Sequence, residues 1–512
     1  MLFKHDAELV IALVGRIGVN TKSVRNWVTE ALHALHYRST TIKITDYLKE
    51  KSFTDIELNE DTVEDRYSSY IAACNSIRSK TGCNDFFATY AIQKIIGERE
   101  NLSDDPDSSV PAKRAAYIID QLKRPEEADA LRSVYGHQFI LISCHMTLDQ
   151  RLDQLARKIA EGHSSAPKAA EWQGIASKLI RQDEKEAGVK FGQRVSDVFP
   201  KADVIIDASD ENASRLLLER FFGALFGNFR VSPTRGEFFQ NIASNVALTS
   251  CDTARQVGAA ISRKGDILST GFNEAPKQGG GTYWSGENSD ARDVTLGKDV
   301  NTVRKRQMVT DLVKLLRDNQ YLADSSIEDH LLEAEFLDKE DAPLKGSQIM
   351  DTLEYGRAVH AEMAALSTAS RLGLATQDAE LHCTTFPCHN CAKHIVASGI
   401  SKVYYLEPYG KSFADELYPD SISIDKSVNP KNSVVFSQFI GITPNRYAQL
   451  FGKEKLKDSR GNVIEWKKES CQPVFGQLGQ SHIDREIIFQ KGMNDQFDPE
   501  LRVYLGFQES AD

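Results

Sequence analysis

Residues 356–365 read GRAVHAEMAA, and residues 384–396 read TTFPCHNCAKHIV. The first stretch opens an amphipathic pattern, which predicts a helix with His360 and Glu362 in its first turn and Gly373 after its end. The second stretch predicts another helix, and the apolar segment AELHCTTF that leads into it predicts a strand. We therefore expect the starts of the two helices to contribute polar side chains to one site.

The second stretch carries two cysteines at a spacing that is typical of metal ligands. Cys388 and Cys391 share one face in the first turn of the helix that Pro387 opens, where unpaired N–H groups stabilise thiolates. A catalytic zinc ion takes three protein ligands and leaves one position for water, and one imidazole with two thiolates is an accepted set. His360, Cys388 and Cys391 supply this set, so the sequence predicts Zn²⁺ as a cofactor.

Zinc supplies Lewis acidity, but the hydrolytic loss of an amine also needs a group that carries protons. Glu362 is the candidate, because residues two apart on a regular helix point to different sides and would not both ligate one metal with His360. His394 is the competing ligand, but choosing it leaves the HAE stretch without a role. Three nearby residues could bind a second metal ion, which remains an alternative: His382, Cys383 and His389.

H-x-E followed by P-C-x-x-C is the signature of zinc deaminases that act on cytosine or adenine rings. The flanking sequence predicts a helix, a hairpin of strands at Gly258–Ser262 and Ile267–Gly271 joined by RKGD, and a last strand at SKVYYLE. The complete order is helix, hairpin, helix, strand, helix, strand. The alternative is a pair of buried cysteines beside an unrelated surface histidine.

Length and composition predict a folded protein of more than one domain. The 512 residues exceed the roughly 250–300 that a single core organises. A net charge of −11 argues against a surface that coats nucleic acid or anionic membrane. Eight scattered cysteines predict a reducing, cytoplasmic setting, and the apolar run Leu9–Val14 is too short for a signal peptide or membrane span. The predicted division is 1–215, 235–445 with an insertion at about 285–355, and an extension at 446–512.

The N-terminal stretch LVIALVGRIGVNTKSVRNWV passes from an apolar strand through a glycine-containing turn into a helix. A phosphate-binding loop has this setting, with glycines for the turn, a lysine for phosphate and a hydroxyl for Mg²⁺. Gly15, Gly18, Lys22 and Ser23 are the candidates for a nucleotide with Mg²⁺. The strict spacing fails by one residue, and Thr21 stands where the second glycine belongs. The alternative is a plain strand-to-helix turn with a surface lysine.

Strands alternate with helices in the N-terminal part, which predicts a parallel sheet covered on both faces. Strands are predicted up to Asp120, at Phe139–Ile142 and at Val204–Ile206, with a helix from about Pro125. These stretches resemble the nucleoside monophosphate kinase group of P-loop proteins, with IRQDEKEAGVKFGQR where that group has an arginine-bearing lid. The resemblance implies that Asp120 contacts metal or substrate and Arg181 contacts phosphate. The alternative is that both are solvated charges.

Residues of about 240–445 resemble the deoxycytidylate deaminase family, with QVGAAI, STGFN, HAE and PCHNC in the family's order. The whole chain, including GFNEAPKQGGGTYW, resembles the bacterial anti-phage deaminases that act on dCTP and dCMP. The resemblance implies an α/β/α three-layer cytidine-deaminase-like domain after the P-loop kinase-like domain. It also implies a homo-oligomer, restraint by a small RNA, and Asn273 as the residue that holds the nucleoside close to the metal.

The insertion and the altered P-loop depart from the family pattern. ARDVTLGKDVNTVRKRQ supplies basic residues suited to phosphate, whereas the alternative is a solvated helical hairpin. The altered P-loop favours a regulatory nucleotide site over a working kinase.

Three functions compete. The first is a hydrolase that deaminates free dCTP or dCMP and deprives a phage of DNA precursors. The second is a deaminase that edits a base within RNA or single-stranded DNA, for which a basic or aromatic groove would be expected. The third is an inactive zinc fold that binds nucleotide or RNA. Net charge weighs against the second, and the presence of His360, Glu362 and both cysteines together weighs against the third.

Overall fold

The structure is a computed structural model, and within its described residues the chain divides into two compact units. The first comprises the described residues up to Glu237 and those from Gln438 on, and the second runs from Phe238 to Ile424 with 433–437. None of the helices in the described ranges is both long and apolar enough to cross a bilayer. The described ranges are residues 7–50, 55–102, 110–163, 169–184, 186, 189–287, 289–322, 327–339, 342–409, 412–425, 433–453, 456–468, 471–475 and 481–496.

The strands and helices are numbered in chain order. The strands are β1 (Leu9–Gly15), β2 (Arg38–Lys43), β3 (Ala115–Asp120), β4 (Phe139–His145), β5 (Val204–Asp207), β6 (Gly258–Arg263), β7 (Asp266–Phe272), β8 (Glu380–Thr385), β9 (Lys402–Glu407), β10 (Ile422–Ile424), β11 (Val434–Gln438) and β12 (Gly441–Ile442). The helices are α1 (Thr21–His33), α2 (Tyr47–Glu50), α3 (Val63–Thr81), α4 (Phe86–Leu102), α5 (Pro125–Tyr135), α6 (Leu148–Gly162), α7 (Gln173–Glu184), α8 (Val195–Val198), α9 (Glu211–Leu225), α10 (Arg235–Ala247), α11 (Asp293–Leu296), α12 (Val300–Asp318), α13 (Asp329–Glu333), α14 (Ala361–Arg371), α15 (His389–Ala397), α16 (Ala414–Leu417), α17 (Pro444–Phe451) and α18 (His482–Gln496).

The first unit is built on a six-stranded sheet in the order β12-β5-β4-β1-β3-β2. The five longer strands are parallel, and β12 joins the edge antiparallel to β5. Central strand β1 is buried along its whole length, as a parallel strand covered on both faces should be. Helices α1 and α9 cover one face through Trp27, Val28 and Phe222. The predicted strand at Leu9–Val14, the strand ending at Asp120 and the helix from Pro125 are confirmed.

The C-terminal segment returns to the first unit. Ile442 of β12 is fully buried and pairs with Val204 of β5. Thr443 secures the turn that follows, because its hydroxyl donates to the Ala202 carbonyl at 2.6 Å and its N–H donates to the Asp203 carbonyl. These contacts join β12 and Thr443 to residues that precede them by more than two hundred positions.

A buried charge cluster joins the start of β1 to α4 and α18. Arg99 donates to Glu8 at 3.0 Å and to Glu486 at 2.7 Å, and His482 Nε2 lies 2.7 Å from Glu8. The Tyr117 hydroxyl also donates to Glu8, at 2.9 Å. Burial raises the pKa of Glu8, but the His482 hydrogen bond and the Arg99 charge outweigh it and hold the pKa at about 2. Glu8 therefore stays ionised and ties three elements together.

Replacing Glu8 by glutamine, which imitates the protonated carboxyl, is expected to lower the free energy of unfolding at neutral pH by about 3 kcal/mol. The pKa of Glu8 is lower in the folded state, so its contribution is complete above pH 4.5 and is lost as pH falls towards 2. Urea unfolding between pH 7 and pH 3 measures this. The difference between wild type and Glu8→Gln should narrow below pH 4.5, and a constant difference would contradict the assignment. Glu100→Gln, an exposed change on α4, should have little effect.

The second unit is built on a mixed six-stranded sheet in the order β10-β11-β9-β8-β6-β7. Strands β6 and β7 form the predicted hairpin, with Lys264 and Gly265 at positive φ in its turn. Strand β8 pairs antiparallel with β6 and parallel with β9. The predicted order of helix, hairpin, helix, strand, helix and strand is confirmed, with α12 and other insertion helices lying between β7 and α14.

Helices cover both faces of this sheet, which gives three layers. A Cβ on Gly271 of β7 would lie 2.3 Å from the backbone of α14, and a Cβ on Gly258 of β6 would lie 2.0 Å from the Ala243 carbonyl of α10. Gly271 pairs with Ala259, so Gly258 belongs to the opposite face. Both glycines are needed because the helix backbones approach the strands this closely. Helix α15 lies with α14 in the core that contains Leu381 and Val403.

The insertion between β7 and α14 has a small core of its own. Val309 and Val313 of α12 pack with Leu332 and Leu337. Its basic residues are largely paired internally: Arg292 with Asp290, Arg306 with Glu333 and Asp338, and Arg317 with Asp329. These contacts are those of a helical hairpin, and they leave these guanidinium groups engaged with carboxylates.

Candidate active site

Two helix N-termini place the four residues of the sequence signature. His360 is the N-cap of α14, with extended backbone angles, and Glu362 follows in the first turn. Cys388 is the N-cap of α15 in the same conformation, and Cys391 follows in its first turn. Because each N-cap residue lies outside the regular helix, His360 and Glu362 project from different backbone geometries and can approach one point from different directions.

The four side chains meet. His360 Nδ1 lies 3.3 Å from Cys388 Sγ and 3.4 Å from Cys391 Sγ, and the Cys391 thiol donates to Glu362 Oε2 at 3.4 Å. Both cysteines and Glu362 are buried, whereas His360 is half-buried. The ligand atoms of the histidine and the two cysteines lie within 4.8 Å of one another. This is the one such group of three potential ligands found in the described part of the chain.

The donor set fits zinc. Zinc bonds of about 2.3 Å to sulfur and 2.0 Å to nitrogen in a tetrahedron require sulfur and nitrogen to be about 3.5 Å apart. The two observed separations from His360 Nδ1, 3.3 and 3.4 Å, are close to this value. Glu362 lies beside this group as a neighbour, which leaves its carboxyl available for proton transfer.

The electrostatics of the cluster favour a thiolate at one cysteine. The neighbouring Cys391 thiol and the imidazole of His360 lower the pKa of the Cys388 thiol well below its usual value. The hydrogen bond with Cys388 raises the pKa of His360 to about 9. Burial raises the pKa of the Glu362 carboxyl. Cys388 is thus ready to ligate a metal cation as the anion.

The other candidates of this region lie elsewhere. His394 is exposed on α15, so the competing ligand assignment fails in this geometry. His382 is buried on β8 and stacks on Tyr404, with 4.9 Å between the ring centroids. The Cys383 thiol donates to the Tyr404 carbonyl, and the His389 ring lies 5.9 Å from that of Phe413.

A cavity of about 330 Å³ opens beside the cluster and is lined by His360, Glu362 and Cys388. Asn273, which the family resemblance implies as the nucleoside-binding residue, directly follows β7 and also lines the cavity. Its amide donates to the Arg255 carbonyl at 2.8 Å and accepts from the Val257 N–H at 2.7 Å. An amide has a second N–H and a second lone pair, so Asn273 can still bind a ligand.

The insertion contributes residues to this cavity that sequence reasoning missed. Asp293, Asp299 and Asn301 line it, although they precede His360 by about sixty positions. Arg357 also lines it and donates to Asp293 at 2.5 Å. Spacing alone gives no signal for these contacts, because they depend on how the insertion folds.

The N-terminal candidates surround the turn between β1 and α1. Gly15 ends β1, and Gly18 has a φ of 96°, the left-handed region that favours glycine. Lys22 and Ser23 lie in the first turn of α1, where the Ser23 N–H donates to the Asn20 side chain. Gly18 and Lys22 line a cavity of about 920 Å³, together with Asp120. Arg181 is exposed on α7.

Several N–H groups of this turn already have protein acceptors. Gly15 N–H donates to Gln121, and Ile17 N–H donates to the Asp183 carboxylate at 2.7 Å. Val19 N–H donates to the Arg16 carbonyl. In a phosphate-binding loop such groups point at the phosphate. Asp183 thus occupies an anion position in the turn, which differs from an open phosphate-binding loop.

The second unit is similar in sequence to known proteins. Residues 233–407 match the model of the cytidine and deoxycytidylate deaminase zinc-binding region. ComE operon protein 2 of Bacillus subtilis (strain 168) is 43% identical over 109 residues, 20% of this chain and 58% of that protein. The deoxycytidylate deaminase of Enterobacteria phage T2 is 29% identical over 161 residues, 31% of this chain and 71% of that protein. The chain therefore spans less than two thirds of the first of these relatives.

A solved structure of dCMP deaminase from the cyanophage S-TIM5, in complex with dCMP and dUMP, aligns with 41% of this chain and 98% of its own. The identity is 19% and the TM-score is 0.23, too low to carry weight by itself. The family match is the stronger finding, because it spans Asn273, His360, Glu362, Cys388 and Cys391. Residues 233–407 of this chain are therefore similar to the zinc-binding region of cytidine and deoxycytidylate deaminases.

Proposed function

We propose that the protein is a zinc-dependent hydrolase that deaminates free deoxycytidine nucleotides, dCTP or dCMP, to deoxyuridine nucleotides. The observation that supports this most is the meeting of His360, Cys388 and Cys391 with Glu362 at the edge of a cavity of about 330 Å³. A cavity of this size suits one nucleotide. The family match over residues 233–407 supports the same chemistry.

The residues divide the work of hydrolysis. His360, Cys388 and Cys391 would hold zinc, which supplies the Lewis acidity that activates water. Glu362 takes a proton from the attacking water and delivers protons to ring N3 and to the departing amine. The bond from C4 to the exocyclic nitrogen breaks, the water oxygen remains on C4, and ammonia leaves. Asn273 would orient the nucleoside so that C4 faces this group.

The proposal extends to the N-terminal unit as a regulatory nucleotide site. A nucleotide with Mg²⁺ would enter the cavity of about 920 Å³ at Gly18 and Lys22. Binding of a phosphate at the turn would require the Asp183 carboxylate to leave the Ile17 N–H, because two anions cannot share one donor. This exchange would couple nucleotide binding to α7, which carries Asp183.

Its biological setting is also part of the proposal. Removal of dCTP in the cytoplasm would deny a replicating phage its DNA precursors, and a homo-oligomer restrained by a small RNA would keep the enzyme quiet. Support for this setting comes from the resemblance of the whole chain to anti-phage deaminases.

A substrate panel tests the proposed reaction. Purified, zinc-replete protein is incubated separately with dCMP, dCTP, CTP and a cytosine-containing oligonucleotide, and each product is followed by chromatography. Conversion of dCMP or dCTP is the expected result. Conversion of the oligonucleotide alone would favour base editing, and no conversion of any substrate would favour the inactive binding fold.

Lys22→Ala is expected to weaken binding of ATP with Mg²⁺ to the N-terminal unit about tenfold or more, because a charge-assisted contact to phosphate is lost. ATP is the probe because it lacks cytosine. Equilibrium titration with labelled ATP measures the effect, with the exposed Lys178→Ala on α7 as a matched control. Equal ATP affinity in wild type and Lys22→Ala would remove the lysine from the site.

A further inference from the structure

A nucleotide in the deaminase cavity carries a phosphate with up to two negative charges at neutral pH. The cavity therefore needs a positively charged side chain apart from the proposed zinc ligands His360, Cys388 and Cys391. Apart from His360, the basic side chains among the described residues that line the cavity are Arg255 and Arg357. These two arginines differ in how strongly the protein already holds them, and this difference decides which one is available to phosphate.

The Arg357 side chain is already hydrogen-bonded to the insertion. Its guanidinium donates to Asp293 at 2.5 Å and to the Ala291 carbonyl at 2.9 Å. A phosphate would have to displace a carboxylate and a carbonyl to reach it. Arg357 is therefore better suited to tying the insertion to the start of α14 than to binding substrate.

The three aspartates of the cavity lining have contacts other than Arg255. Asp293 pairs with Arg357, and Asp299 caps α12 by accepting from the Asn301 N–H at 2.9 Å. Asp252 accepts from the Ala254 N–H at 2.9 Å. None of these three contacts involves the Arg255 guanidinium.

Arg255 itself is held loosely at its tip and firmly at its backbone. The guanidinium lies 3.6 Å from Glu407, beyond hydrogen-bond distance, and both side chains are substantially exposed at 50% and 37%. The backbone is fixed by Asn273, whose amide bonds the Arg255 carbonyl and the N–H of Val257. Asn273 thus lines the cavity and also fixes the backbone position of Arg255.

We propose that Arg255 binds the 5′-phosphate of the substrate, with Asn273 setting its distance from the base. This inference rests on the proposed function and specifies how the enzyme selects nucleotides over nucleosides. Loose pairing with Glu407 lets the guanidinium turn to phosphate, where charge-assisted hydrogen bonds are stronger than an exposed ion pair. The fixed backbone keeps this movement short.

The test compares deoxycytidine, dCMP and dCTP as substrates of wild type, Arg255→Gln and Arg255→Lys. Arg255→Gln is expected to lower kcat/KM for dCMP and dCTP about 10- to 100-fold, mainly through a higher KM. Deoxycytidine has no phosphate, so its kcat/KM should stay within about twofold. Arg255→Lys keeps the charge and should recover part of the loss. Arg263→Gln, on β6 and outside the cavity lining, is the matched control, and zinc content is measured in every variant.

Each outcome decides the inference. A loss confined to the phosphorylated substrates supports it. Unchanged kcat/KM for dCMP and dCTP in Arg255→Gln overturns it while leaving the proposed reaction intact. An equal loss for deoxycytidine also overturns it, since the residue would then act on the site as a whole. A wild-type protein that deaminates none of the three substrates removes the proposed function and this inference with it.

Discussion

Glu362→Gln is expected to lower kcat for deamination of dCMP or dCTP by about 10²- to 10⁴-fold, the usual contribution of a general acid–base group. Glutamine has nearly the same shape but cannot take a proton from water or return it to the leaving amine. Glu362 Oε2 lies 3.4 Å from Cys391 Sγ, beside the proposed ligands His360, Cys388 and Cys391 but outside their group. The variant should therefore keep one zinc per chain.

Two measurements distinguish the loss of proton transfer in Glu362→Gln from misfolding of the variant. Zinc content by metal analysis should equal that of wild type, and Glu380→Gln, a half-exposed carboxylate on β8, should keep full activity. A zinc-replete Glu362→Gln protein with wild-type kcat would remove Glu362 from the proton-transfer role.

Cys388→Ser is expected to lower zinc affinity by at least about 100-fold and to reduce deamination to background. Changes at residues that only hydrogen-bond to a metal ligand lower metal affinity about 10- to 100-fold. Loss of a ligand itself should cost at least as much, which gives the lower bound. Cys388 Sγ lies 3.3 Å from His360 Nδ1, and the neighbouring Cys391 and His360 lower the pKa of its thiol, which favours the thiolate that a metal binds. Competition with a chelator of known affinity measures the change.

Cys251→Ser is the matched control, because Cys251 is an exposed cysteine of the same unit. It should retain zinc and activity. Added zinc should raise the thermal unfolding temperature of wild type and Cys251→Ser but not that of Cys388→Ser, because only bound metal stabilises the folded state. Full zinc retention in Cys388→Ser would contradict the ligand set.

The sequence predicts the frame of the second unit well, for local reasons. The helices at HAE and PCHNC follow from the periodic apolar residues, Pro387 and the glycines beyond their ends, and α14 and α15 lie there. The hairpin follows from RKGD, where Lys264 and Gly265 adopt positive φ. Parallel strand β1 follows from a continuous apolar run. Patterns within a dozen residues are sufficient for each of these elements.

Contacts between distant segments could not be predicted in the same way. Asp293 reaches the cavity through an ion pair with Arg357, 64 positions later, and polar residues carry no periodic signal for such a pairing. Arg99 meets Glu486 across 387 positions. The two-residue strand β12 is too short to stand out from its surroundings, yet it extends the first sheet.

The turn after β1 shows how a motif match depends on its partners. Its glycines and lysine suggest a phosphate-binding loop, but Asp183 accepts from the Ile17 N–H 166 positions away. A carboxylate from a distant helix can satisfy the same donors that a phosphate would use. The composition of the turn therefore predicts its affinity for an anion but not which anion occupies it.

Zinc titration of the metal-free protein shows whether deamination depends on one zinc ion per chain. Chelator-treated protein receives zinc from zero to two equivalents per chain, and the rate of dCMP or dCTP deamination is measured at each step. We expect a rate that rises in proportion to zinc and levels off at one equivalent, because His360, Cys388 and Cys391 form one site. Deamination of these nucleotides at an undiminished rate without zinc would contradict it.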